Sequence, residues 1–154
     1  MLADALARVV ETNVVDPAGG AFQIFRSSEM GLRLDMQAAA LVARHGLKAQ
    51  VVEDWLRVAK LPKQGLYAGL RLTPSTLSRK RKGDTLDPAV TERLVRQSEL
   101  MVKAAEVFGE GASKWMAKAH PLLGGQTPVD AASNEYGGAR VRQILNAIEH
   151  GGVV

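Results

Sequence analysis

Thr73-Pro74-Ser75-Thr76-Leu77-Ser78-Arg79-Lys80-Arg81-Lys82-Gly83 is the stretch whose reading decides the fold. Thr73 offers the hydroxyl of a helix N-cap and Pro74 the fixed φ of a first helical position, so a short, very basic helix begins here. Lys63 to Leu70, just before it, has the look of another short helix, with Arg71-Leu72 as the turn between the two. Paired short helices across a tight turn are the helix-turn-helix pattern, in which the second helix enters the DNA major groove. On this reading Ser75, Thr76 and Ser78 face bases or phosphates and Arg79, Lys80, Arg81 and Lys82 grip the backbone, with Lys63, Arg71 and Thr73 on the same surface.

The charge distribution points the same way. Between Lys60 and Gly83 there are seven basic residues and no acidic one, whereas the chain as a whole is +4, so the remainder sums to −3. A basic patch on a slightly acidic body is the electrostatic footprint of a nucleic-acid contact; the competing reading is a solvated basic helix. The chain has 154 residues, 46% hydrophobic and 23% charged, which suits a globular protein of one ordinary domain or two small ones. It has no cysteine, which removes disulfides, thiolate nucleophiles and cysteine-based zinc sites. The N-terminal residues lack the basic start and apolar run of a signal peptide, and no segment approaches the roughly 18 apolar residues of a membrane span, so a cytoplasmic location away from membranes is expected.

Outward from the basic stretch the pattern is helical. Residues 3–11 carry apolar residues at helical spacing; Asp16-Pro17 opens a turn, and residues 21–25 read as a short strand or hydrophobic strap. Asp35 caps a helix that Gly46 stops, and Val51, Val52, Trp55, Leu56 and Ala59 mark the next. Asp87 and Pro88 open a long helix to Phe108, a spine that is also the candidate interface for a homodimer on a two-fold operator. Beyond Gly111, a helix over 112–119 contains Trp115, and Thr127-Pro128 begins a brief one that stops near Tyr136-Gly137-Gly138. Val141, Ile144, Leu145 and Ile148 form the stripe of a last helix, with Trp115 and Leu123 as their expected core partners. The fold class is all-α: an N-terminal arm (1–34), a helix-turn-helix region (35–94) and a small helical C-terminal module (95–154).

Two blocks together resemble a known family. Thr76-Leu77-Ser78-Arg79-Lys80-Arg81-Lys82-Gly83, with Leu86 and Thr91-Glu92-Arg93-Leu94, is similar to a signature of antitoxins of the Xre, MbcA and ParS group. Trp115, Leu123-Gly124-Gly125-Gln126-Thr127-Pro128, Gly137, Val141, Leu145 and Ile148-Glu149-His150-Gly151 resemble that group's toxin-binding module. Tyr67 and Arg71 depart from the pattern, standing where such turns have a small residue and a glycine. The resemblance implies a type II antitoxin that neutralises a RES-domain, NAD-degrading toxin through the C-terminal module and represses its own operon through the helix-turn-helix. Arg140 and Arg142 fall off the apolar stripe and are expected to face the toxin. His150, Gly151, Gly152, Val153 and Val154 form a thin tail ending in a carboxylate, suited to entering an NAD pocket.

An enzyme is not expected, and neither is a cofactor or metal. His45, His120 and His150 have no metal-ligand spacing, the glycine pairs lack phosphate-loop spacing, and Glu53-Asp54 are adjacent on a helix and so diverge. A stand-alone transcription regulator without a toxin partner fits residues 1–110 equally well; only the C-terminal block argues against it.

Overall fold

A computed structural model describes residues 1–15, 22–29, 31–81 and 83–151. The order is α1 (Leu2–Thr12), β1 (Phe25–Ser28), β2 (Gly31–Leu34), α2 (Met36–His45), α3 (Gln50–Ala59), α4 (Lys63–Leu70), α5 (Pro74–Ser78), α6 (Pro88–Phe108), α7 (Ala112–Met116), α8 (Pro128–Ala131) and α9 (Glu135–Glu149). Single 3-10 turns at Gly109–Gly111 and Pro121–Leu123 flank α7. The protein is predominantly helical, with one two-stranded hairpin in which Phe25 pairs with Leu34 and Ser28 with Gly31.

The caps sit where the residue types place them. Asp35 accepts the Ala38 amide, Thr73 the Thr76 amide and Thr127 the Asp130 amide. Gly46 closes α2 at φ +93°, and Pro74, Pro88 and Pro128 open their helices. Asp87 precedes α6, but its side chain makes no capping bond and lies 4.0 Å from the Lys80 ammonium.

The long helix α6 is the axis of the molecule, packed by α1, α2, α4, α7 and α9. Leu94, Leu100, Met101 and Ala104 on it are completely buried, and so are polar Thr91, Gln97 and Ser98. Ser98 receives the Trp55 indole N–H at 2.8 Å and passes its own proton to the Leu94 carbonyl, so α3 is keyed to α6 through a satisfied polar pair. Neighbours within the chain cover much of α6, the helix expected to pair with a twin.

Residues 1–34, expected as an arm, contribute Leu6, Val10, Ile24 and Phe25 to the same core. Asn13 donates to Asp54 of α3, as do Gln50 and Arg57. Burial would raise the Asp54 carboxyl, but these hydrogen bonds outweigh it and hold the group below its ordinary value. The strand expected over 21–25 is corrected in register: Ala21 lies outside the described residues, Phe22 to Ile24 are irregular, and pairing begins at Phe25. Helix carboxylates far away in sequence hold this segment. Glu11 accepts the Ile24 amide at 2.8 Å, and Glu106 accepts the Leu32 amide at 3.2 Å. Burial of Glu106, helped by nearby Glu149, pushes its carboxyl up against the opposing pull of that amide.

Candidate functional site

The basic segment is two short helices around a tight turn. Helix α4 ends with Arg71 at φ +52°; the Arg71 amide bonds the Ala68 carbonyl and the Leu72 amide reaches back to Tyr67. Tyr67 is buried, and the Lys63 ammonium stands 5.7 Å from its ring centre. From α6, Arg93 donates to the Leu70 carbonyl at 3.2 Å, placing a cation on the negative end of α4, a role that the sequence did not signal. Helix α5 is only five residues long and exposes Ser75, Thr76 and Ser78. Their hydroxyls are partly engaged: Thr73 and Thr76 share a proton at 2.6 Å, and Ser78 bonds the Ser75 carbonyl at 3.0 Å.

The expected cations divide into two groups. Lys63, Arg71, Arg79 and Arg81 are exposed. Lys80 instead turns back toward the protein, donating to the Thr85 carbonyl at 3.2 Å with Asp87 at 4.0 Å, and so helps close a loop. Lys82 lies outside the described residues. Asp84 accepts the Arg81 amide at 2.8 Å, bringing a carboxylate to the edge of the patch that the 60–83 charge window left out.

The C-terminal module is built on the second half of α6. Val141, Ile144 and Leu145 of α9 are buried against it. Helices α6 and α9 run in the same direction, joined by Arg142 to Glu99 at 2.7 Å and Lys103 to Glu149 at 3.4 Å, while Arg96 of α6 reaches the Ala132 carbonyl at the end of α8 at 2.8 Å. Arg142, expected to face a toxin, has an ion-pair partner within the chain. Arg140 is exposed and bonds only its neighbour Gln143. His150 is exposed beside Glu149, Gly151 closes α9 at φ +79°, and Gly152, Val153 and Val154 lie outside the described residues.

Trp115 packs at the edge of the core. It is half-buried, stacked on Phe108 with ring centres 5.3 Å apart, and it meets His120 edge-on at 5.9 Å. His120 Nδ1 accepts the Leu122 amide, and its carbonyl accepts the Leu123 and Gly125 amides, so this one residue organises the loop. The loop turns through two consecutive left-handed glycines, Gly124 and Gly125, as the pair at this point in the sequence suggested. Leu122 on the loop and Tyr136 at the start of α9 are 43% and 86% exposed, unusual for side chains this large.

Residues 103–151 match the model of the family described as the antitoxin Xre/MbcA/ParS C-terminal toxin-binding domain. That segment is similar to the part of an antitoxin that holds its toxin. The match supports an antitoxin role and a toxin partner. It begins at Lys103, so the basic segment lies outside it. No curated protein matches the chain. Among the described residues no helix is long and apolar enough to cross a membrane, and no group of three or more His, Asp or Glu side chains is arranged to hold a metal ion.

Proposed function

We propose that this protein is the antitoxin of a type II pair whose toxin is a RES-domain enzyme that degrades NAD, and that it represses its own operon as a homodimer. The single observation that carries the antitoxin reading is the match of residues 103–151 to a toxin-binding domain. The RES assignment rests on the sequence resemblance of the two blocks around Thr76–Gly83 and Trp115–Gly151. Operator binding rests on the exposed Arg71, Arg79 and Arg81 beside the hydroxyl-bearing turn of α5.

Neutralisation has two parts on this reading. The helical module supplies most of the affinity, with exposed Arg140 available to the partner. Gly151 adopts a left-handed conformation at the end of α9, and the segment from His150 to Val154 occludes the pocket that binds NAD. The test is to make the complex with the RES-domain protein encoded beside this chain and to truncate the antitoxin after Glu149. NAD breakdown should return while the complex persists. A truncated antitoxin that still silences the enzyme would remove the tail from the mechanism, and a neighbouring gene without such a protein would remove the RES assignment.

A further inference from the structure

Phe108, Trp115 and His120 make a continuous aromatic step whose rings are all only half-buried, and exposed Leu122 extends it. Ala112 and Met116 of α7 are completely buried, whereas Trp115 and Phe108 pack against the edge of the core with part of each ring accessible. Lys114 on α7 and Lys118 just beyond its end are both exposed, and Trp115 lies on the flank of the helix between Lys114 and the buried Ala112. Neither lysine makes an ion pair among the described residues, and the sequence from 111 to 129 contains no Asp or Glu. The surface thus has an apolar, aromatic centre with two unpaired lysines on one side and Glu110 near Phe108 on the other.

We infer that this aromatic step is the anchor by which the toxin is held, and that the toxin meets it with an apolar pocket rimmed by carboxylates. The inference rests on the antitoxin reading and adds to it the place of docking and the chemistry of the partner surface. Half-exposed Trp and Phe at the centre of a patch, with charges at its edge, are the arrangement in which a few rings carry most of the binding free energy and the rim sets the association rate. The step lies wholly within residues 103–151, and it is separate from the tail beyond Glu149. Anchoring and occlusion of the enzyme's pocket therefore belong to different residues.

The experiment measures association and dissociation of the purified toxin from the adjacent reading frame with the full-length chain and two variants. Trp115→Ala should weaken binding at least about thirtyfold, mainly through faster dissociation. The double variant Lys114→Glu/Lys118→Glu changes exposed side chains only, so it keeps the fold. It should slow association about tenfold at low salt, with the difference shrinking as salt rises. Circular dichroism checks the Trp115 variant; if it is misfolded, the lysine variant decides alone. Wild-type protein that fails to bind overturns the antitoxin reading and this inference together. Wild-type binding with folded variants that bind as tightly and as fast overturns this inference and leaves the antitoxin reading standing.

Discussion

Arg71 occupies the position where a turn of this type usually has glycine, and its backbone adopts the left-handed conformation that glycine would have supplied, with φ at +52°. The bonds from Arg71 to Ala68 and from Leu72 to Tyr67 are the paired closure of a left-handed helix end, and buried Leu72 follows it as the hydrophobic member. Turn geometry therefore survives without the glycine. A side chain in this region is strained, though a cation at a helix C-terminus recovers part of the loss. Lys60 closes α3 in the same conformation, with φ at +56°. Arg71→Gly should stabilise the protein by about 0.5–1 kcal/mol, because glycine takes this conformation without steric penalty. Urea unfolding measures it, and an unchanged or lower midpoint would show that the turn is not strained at Arg71.

At the scale of the element, the glycine pair Gly137-Gly138, expected to end the helix that follows Thr127-Pro128, lies instead in the first turns of α9, whose N-cap Asn134 accepts the Gly137 amide at 2.8 Å. What puts glycine there is packing. A Cβ on Gly137 would stand 1.7 Å from the Ala131 carbonyl oxygen of α8, and one on Gly138 would stand 2.7 Å from the flexible Arg96 side chain. Helix propensity alone ranks alanine above glycine by about 1 kcal/mol at both positions. The structure reverses that order: Gly137→Ala should destabilise by about 3 kcal/mol because backbone must move, whereas Gly138→Ala should cost about 1 kcal/mol or less as Arg96 swings aside. Thermal melts of the two variants compare them directly, and equal or raised stability for Gly137→Ala would mean that α8 and α9 do not approach so closely.

Across the whole molecule, one core joins the segments that the sequence divided. Helix α4 packs on α8 where Gly69 lies against Gln97 and Val129, and Gln97 bonds the Val129 carbonyl at 2.9 Å. The proposed DNA-contacting helices and the matched module are thus parts of one packed body. Light scattering at micromolar concentration should give about twice the 16.5 kDa chain mass. The two basic segments should then lie about 34 Å apart on successive major-groove turns. In gel shifts on the upstream region, Arg79→Ala/Arg81→Ala should lower affinity and flatten its salt dependence. A monomer, both free and with the toxin, would exclude the dimer; undiminished affinity would exclude this segment as the reader.

The sequence by itself determined the helices and most of their ends, because caps, prolines and apolar spacing act within a few residues of where they stand: Asp35, Thr73, Thr127 and the stripe of Val141, Ile144 and Leu145 all work locally. It also made the C-terminal module recognisable, since its glycines, Trp115 and loop residues keep a fixed spacing along the chain. Only the tertiary structure decided which long side chains are free. Lys80, Arg142 and Arg140 look alike in sequence, yet Lys80 folds onto its own loop, Arg142 pairs with Glu99 from another helix, and Arg140 stays in solvent. The hairpin belongs to the same class, because the carboxylates that hold it, Glu11 and Glu106, come from two helices far apart in the chain. A charge's partner is set by distance in space, and no pattern of neighbours along the chain encodes it.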